Sequence, residues 1–229
     1  MLCTAAMVSV LLLCTSTLAN DHRPSHRLQP LFTHALMPQA YAQASTIVIE
    51  DFSAARHEWE AMNDPVMGGQ SYSSVAVQND VLNFTGSCEI VPSLQAPGFI
   101  TARNSDSEDW ADVSSCKGLS ITAKAATNYA GYRISFGHAH PIGGKFFAYG
   151  YKANMRPTVG SFGTVSIPFT NFTDFWDDAT GDPIHTCISN PRYCPDMKTL
   201  RNMKTMSIWA EGVKGKVHLE VKTIAGYGC

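Results

Sequence analysis

The chain has 229 residues, with 17 lysines and arginines against 19 aspartates and glutamates and a formal charge of −2. That balance gives no electrostatic basis for binding nucleic acid or an anionic membrane surface. The length behind a short leader suits one domain of ordinary size.

Residues 1–19 hold no charged side chain and carry an apolar run over 5–13, followed by Thr17-Leu18-Ala19. The run falls short of the roughly 20 residues a bilayer crossing needs, and the small-x-small site behind it reads as signal-peptide cleavage. Residues 20–45 contain His22, Arg23, His26, Arg27 and His34 with Asp21 as the only acid, and show no strand alternation. They read as a linker or a second targeting segment. The expected address is secretory or extracellular, with a plastid or mitochondrion reached through a compound targeting sequence as the alternative. No later run is long and apolar enough to suggest a membrane span.

From residue 46 onward the dominant period is two. Val217, Leu219 and Val221 oppose His218, Glu220 and Lys222; Leu119, Ile121 and Ala123 oppose Ser120, Thr122 and Lys124; Tyr132, Ile134 and Phe136 oppose Arg133 and Ser135. Such alternation predicts antiparallel strands with one buried and one wet face. Ten strands are expected, near 46–51, 70–77, 81–91, 98–103, 117–125, 131–137, 145–152, 163–168, 205–211 and 216–224. Gln78-Asn79-Asp80 predicts a hairpin turn, because Asn and Asp tolerate left-handed backbone angles. Helical patterns are short, at 53–61 and at 195–204, the latter with Pro195 at an early position. The expected domain, 46–229, is an all-β antiparallel sandwich or jelly roll with one or two short helices.

Seven cysteines less Cys3 and Cys14 of the leader leave five. In an oxidising compartment these suggest two disulfides and one leftover thiol. Cys187 and Cys194 bracket a short Pro-containing loop and make the easiest pair; Cys88 with Cys116 is the expected second, leaving Cys229 odd. No C-x-x-C spacing suggests zinc. Asn-Phe-Thr sequons at Asn83 and Asn171 are glycosylation candidates. Leu82 and Phe84 flank Asn83 on the opposite strand face, which points Asn83 at solvent.

The sharpest motif is Trp59-x-x-x-Asn63-Asp64-Pro65-Val66-Met67-Gly68-Gly69-Gln70-Ser71. Pro65 holds Asp64 extended, the glycines allow positive φ and close approach, and Asn63 and Asp64 can accept bonds from free turn N–H groups. The motif resembles the N-D-x-V-M-G-G-x-S signature of the complex I intermediate-associated protein 30 family. Asp51-Phe52, Phe84-Thr85-Gly86, the Gly98 to Arg103 strand, Gly118-Leu119 and Ile167-Pro168-Phe169 extend the resemblance over about residues 48–224. One departure is that Phe162 is the nearest aromatic where the family often carries a Trp before I-P-F. The resemblance implies a galactose-binding-like sandwich that acts as an assembly factor on protein partners without a cofactor. It makes Trp59, Asn63, Asp64, Met67, Gly68, Gly69 and Ser71 the candidate binding corner.

Catalytic patterns are missing. Gly160-Ser161-Phe162-Gly163 lacks the spacing of a nucleophile elbow, and Gly143-Gly144-Lys145 lacks the upstream glycine of a phosphate loop. No metal is expected. His138 with His140, and Asp177, Asp178 and Asp182 around Gly181, are the nearest approach to ligand sets, the latter suited to calcium. Asp106, Glu108, Asp109 and Asp112 form a weaker acidic group. The alternative function, a secreted carbohydrate-binding module, would use Trp209, which alternates with Met206, Ile208 and Ala210 and so falls on the opposite strand face, with Tyr149, Tyr151 and Trp176 as stacking aromatics and Phe175 a further candidate. Intact-mass measurement with and without reductant and glycosidase tests the address. The expected result is a mature start at Asn20 or beyond, two disulfides and at least one glycan; five free thiols and no glycan would contradict secretion.

Overall fold

The computed structural model describes residues 45–64, 68–138, 150–177 and 181–229. The leader and targeting readings lie outside them. In chain order the strands are β1 (Thr46–Asp51), β2 (Trp59–Asn63), β3 (Tyr72–Gln78), β4 (Val81–Cys88), β5 (Ile90–Val91), β6 (Ala96–Pro97) and β7 (Phe99–Asn104). They continue with β8 (Gly118–Ala125), β9 (Tyr132–Gly137), β10 (Tyr151–Asn154), β11 (Thr158–Val159), β12 (Gly163–Pro168), β13 (Thr205–Glu211) and β14 (Gly215–Tyr227). One helix, α1 (Met197–Arg201), starts on Asp196, whose carboxylate accepts the Thr199 N–H at 2.7 Å.

Two sheets pack face to face. The larger runs β11-β8-β14-β4-β3, with β12 on β8 and β1 on β14; the smaller runs β10-β9-β13-β7-β2. Pairing is antiparallel except for the two-residue contact of β11 with β8. The Asn79 and Asp80 backbones take φ of 53° and 61°, closing β3 onto β4 with Gln78 opposite Val81. That is the two-residue hairpin the turn chemistry predicts.

The alternating apolar sets meet in the middle. Leu82 and Phe84, Leu119 and Ile121, and Leu219 and Val221 face Ile100, Ile134, Phe136 and Ile208, all essentially without solvent contact. In β14 the alternation breaks: a register shift between Val221 and Thr223 lets Ile224 rejoin the core side.

Three expectations need correction, the second disulfide among them. Residues 53–61 do not form a helix; Trp59–Asn63 is an edge strand paired with β7. The segment is rich in helix-favouring residues, yet the buried Glu50 carboxylate accepts the N–H groups of Arg56 and His57 and the indole N–H of Trp59. Satisfied there, the chain turns and joins an open sheet edge, so tertiary context overrides propensity. The outer faces of β9 and β13 are not wet either: Arg133, Ser135, Ser207 and Glu211 are all buried.

The second disulfide is Cys116–Cys229, beside Cys187–Cys194, and not the expected Cys88–Cys116; among the described residues Cys88 is the free, buried thiol. Strand pairing explains why. Gly118 lies opposite Tyr227 and the Lys117 N–H binds the Tyr227 carbonyl, which brings Cys116 to Cys229. Cys88 lies opposite Gly215 at the other end of β14, roughly 35 Å away at the usual rise per strand residue. On the chain-entropy model, closing a separation of 113 residues stabilises by about 5 kcal/mol and a loop of 7 by about 2.5 kcal/mol. Cys116→Ser/Cys229→Ser is therefore expected to cost more in guanidinium unfolding than Cys187→Ser/Cys194→Ser, and the reverse order would contradict this account.

Candidate functional site

The Asn63–Ser71 corner is built inward. Asp64 is buried, and its N–H donates to the Phe99 carbonyl at 2.9 Å. A Cβ on Gly69 would overlap the Asp64 carbonyl oxygen, and one on Gly98 would overlap the Asp64 carboxylate and the Ser71 hydroxyl. The motif's second glycine and the glycine that opens the Gly98-Phe99 strand are thus two walls of one slot around Asp64. Gly68 supplies the left-handed turn at φ +79°. Ser73 donates to Asn63 Oδ1 at 2.6 Å, and Ser71 Oγ accepts the Glu89 N–H at 3.0 Å. Trp59 packs edge-on to Phe52 and Trp110. Cys88 Sγ donates to the Gly98 carbonyl at 2.8 Å, and burial pushes its thiol up to about 11. These motif side chains hold the corner rather than present it. Met67 lies outside the described residues.

The outer face of the smaller sheet carries a denser polar cluster. Trp209 stands opposite Arg133 and Thr101 on that face, as the alternation predicts. It is only 6% exposed, however, and its indole N–H donates to Ser135 Oγ at 2.8 Å. The Lys152 ammonium lies 4.8 Å from the Trp209 ring and 4.6 Å from the Trp176 ring while bonding Glu211 at 2.6 Å. Arg133 lies over Trp176 at 5.4 Å, donates to the Glu211 carbonyl at 3.0 Å and to Asn154 Oδ1 at 3.0 Å. The half-buried Trp176 is therefore a clasp closing its loop onto the sheet. Tyr151 belongs to the core against Phe136, and burial raises its hydroxyl's pKa. Tyr149 lies outside the described residues.

Asp182 sits 3.7 Å from Arg133 Nη2, and the Asp177 N–H donates to the Asp182 carbonyl. A cationic neighbour is a poor companion for calcium. Among the described residues no three His, Cys, Asp or Glu side chains gather as metal ligands; Asp178 and His140 lie outside them. His138 shares a 3.1 Å bond with Thr199 of α1. A cleft of about 430 Å³ is lined by Arg56, His57, Glu58, Asp106 and Glu108. There His57 bonds Asp106 at 2.9 Å and stacks on Trp110. This is the base-and-orienter half of a hydrolytic triad, but the lining offers no Ser, Thr or Cys. Burial raises the Asp106 pKa, yet the bonds from His57 and from the Glu58 and Glu108 N–H groups outweigh it, leaving the carboxyl below its usual range.

Exposed apolar side chains recur on 173–177 and 181–197, where the sequence reading singled out Phe175, Trp176, three aspartates and the Cys187 and Cys194 pair but no apolar surface. Phe175, His185 and Tyr193 stack at 5.3 and 5.0 Å. Ile188, at 75% exposure, lies inside the Cys187–Cys194 loop, with Ile184, Met197 and Phe175 exposed on the same segment. Asn190 caps the short 3-10 turn at Pro191–Tyr193. Asn171 is exposed, and Asn83 is half-buried on the outer face of β4 between Ala76 and Glu220.

A model of the complex I intermediate-associated protein 30 family matches residues 50–186, a shorter span than the motifs suggest. Among solved structures, the family 11 carbohydrate-binding module of the cellulosomal cellulase Lic26A-Cel5E of Clostridium thermocellum superposes with a TM-score of 0.54 at 15% identity, covering 82% of this chain and 97% of that one. A Clostridium thermocellum family 11 module in complex with a β-1,3-1,4-mixed-linked tetrasaccharide gives 0.52 at 14%, covering 81% and 96%. At such identities the likeness shows the fold. No curated protein matches the sequence.

The slot around Asp64 yields a double-mutant test. Gly69→Ala and Gly98→Ala are each expected to cost about 3 kcal/mol, the upper part of the overpacking range. Adding Asp64→Ala should recover part of the Gly98→Ala loss, which involves side chains. It should recover less at Gly69, where the nearest obstacle is the Asp64 carbonyl oxygen that Asp64→Ala leaves in place. Thermal unfolding of the four variants checks this.

Proposed function

The chain belongs to the complex I intermediate-associated protein 30 family, and on that premise we propose that it is a non-catalytic binding module that helps assemble protein partners in a secretory or organelle lumen. The observation that carries the reading is the apolar ledge on 173–197. Phe175 at 43%, Ile184 at 52% and Ile188 at 75% exposure leave large side chains in water; Ile188 sits in the Cys187–Cys194 loop, and Phe175, His185 and Tyr193 stack beside it. Exposed apolar groups on a rigid frame lose little conformational entropy on docking. Asp64 and Ser71 of the motif corner are buried, so on this reading recognition falls to other surface.

A second reading has its own observation. Two tryptophans, Trp176 and Trp209, share the outer face of the smaller sheet with Arg133, Lys152, Asn154 and Glu211. Aromatic faces beside amides and charges are what a carbohydrate site uses, and one of the superposed modules is named with a tetrasaccharide. Against it, Lys152 occupies the space at both rings. Cross-linked capture from the native compartment, with wild type and Ile188→Asp compared side by side, tests the first reading. Loss of the same partners in a folded variant is expected, and an unchanged partner set would contradict it. Glycan-array binding that disappears with Trp176→Ala would favour the second.

A further inference from the structure

Charge separates the surface features of the domain. The His57 cleft is lined by three carboxylates, those of Glu58, Asp106 and Glu108. On the smaller sheet Arg133 and Lys152 are both answered by Glu211. A groove of about 400 Å³ on the outer face of the larger sheet is different: among the described residues no acid lines it.

Strand register builds this groove. Tyr72 and Lys216 flank Ser87 in one row across β3, β4 and β14, and Ser74, Thr85 and His218 form the next row. These side chains face away from the core, because Val75, Phe84, Val217 and Leu219 alternate with them on the inner side. Rows two residues apart lie about 7 Å from one another and neighbouring strands about 4.8 Å, so the patch matches one or two sugar rings.

Tyr72 is 54% exposed. The Lys216 ammonium donates to its hydroxyl at 2.7 Å and lies 5.2 Å from the ring centroid. The first distance added to the hydroxyl's own reach from the ring centre nearly equals the second. The ammonium therefore sits off the hydroxyl end, and the ring faces stay clear of it. Lys216 forms no ion pair among the described residues, whereas Lys124 holds Glu220 at 2.8 Å and Lys214 holds Glu89 at 3.1 Å. Those bonds occupy the carboxylates beside the groove, including Glu220, which lies 3.7 Å from His218.

We propose that the groove binds an acidic sugar, a pyranose bearing a carboxylate or a sulfate. The sugar ring lies on the Tyr72 face, its hydroxyls meet Ser74 and Thr85, and its acid group sits between Lys216 and His218. A neutral sugar would leave the ammonium unanswered, and a bare anion would leave the ring and the hydroxyls unused. The groove shares no residue with the ledge on 173–197 or with the tryptophan face of the smaller sheet, so it goes beyond the proposed function and fails or stands apart from it.

Isothermal titration of the purified, glycosidase-treated protein at low salt tests the site. The treatment clears any glycan from Asn83, which precedes Thr85 on the same face of β4. A galacturonate hexamer and a chondroitin sulfate hexasaccharide separate the carboxylate source from the sulfate source; a neutral glucan hexamer and sodium sulfate are the controls. At least one acidic hexamer is expected to bind about tenfold or more tighter than either control. Lys216→Gln and Tyr72→Leu, at exposed positions, should each weaken that binding about tenfold with circular dichroism unchanged. Lys222→Gln, an exposed lysine of the same strand that lies beside Phe162 and outside the groove, should change it by less than about twofold. No binding of either acidic hexamer at about 5 mM would overturn the proposal. So would equal binding of the neutral hexamer, a loss at Lys216 no larger than at Lys222, or a Tyr72→Leu protein that binds undiminished. Sodium sulfate binding as tightly as the sugars would mark an anion site only and would overturn it as well.

Discussion

The thirteen-residue strand β14 is the constraint from which the rest of the architecture follows. Along one edge it pairs with β8, and along the other it serves β4 with its first half and β1 with its second. A single backbone ladder thus sets the register of three strands. Because side chains alternate with period two, a one-residue slip would turn Val217, Leu219 and Val221 outward together. The shift after Val221 is tolerated since it resets the phase for Ile224, where β1 takes over from β4. The same strand decides the covalent frame: its beginning faces Cys88, its end delivers Cys229 to Cys116.

The smaller sheet is organised by a different force. Its outer face would be the wet face of an ordinary antiparallel layer, yet Arg133, Glu211 and Trp209 are buried there. Burying Arg133 and Glu211 is tolerable only because each is paired and hydrogen-bonded. Lys152, held by Glu211, has its ammonium 4.6 Å from one indole and 4.8 Å from another. The loop bearing Trp176 is consequently tied down where it leaves the edge of β10, and the ledge beyond it starts from a fixed point. Rigidity at the clasp and exposure at the ledge are two ends of one segment.

Much of this was legible in the sequence, and what was not has identifiable physical causes. The expectations for β12 and β13 match the observed strands residue for residue, and the Asn79-Asp80 turn was readable from two residue types. Segment 53–61 misled because its Ala, Arg and Glu residues favour helix, whereas Glu50, sequence-distant by several residues, captures their N–H groups. Trp209 was placed on the correct face but left uncovered, since period two reports which way a side chain points and not what lies over it. Arg133 looked like an ordinary wet-face charge for the same reason. Cysteine pairing failed on proximity in sequence: Cys88 is nearer to Cys116 along the chain, but strand register governs proximity in space.

The motif itself shows why a strong signature and a functional site need not coincide. Gly69 and Gly98 lie far apart in sequence yet are glycines for one shared reason, the volume of Asp64. A pattern held by sterics identifies the fold with high specificity and says little about ligands. On the proposed function, recognition falls to surface that sterics leave free, the exposed apolar side chains around the Cys187–Cys194 loop. Structural disulfides persist where the surroundings are oxidising, and Cys187–Cys194 is the bond that closes the loop carrying Ile188. Any assembly role that uses the ledge therefore belongs to a compartment that keeps this bond, which aligns the proposed function with a lumen rather than a reducing matrix.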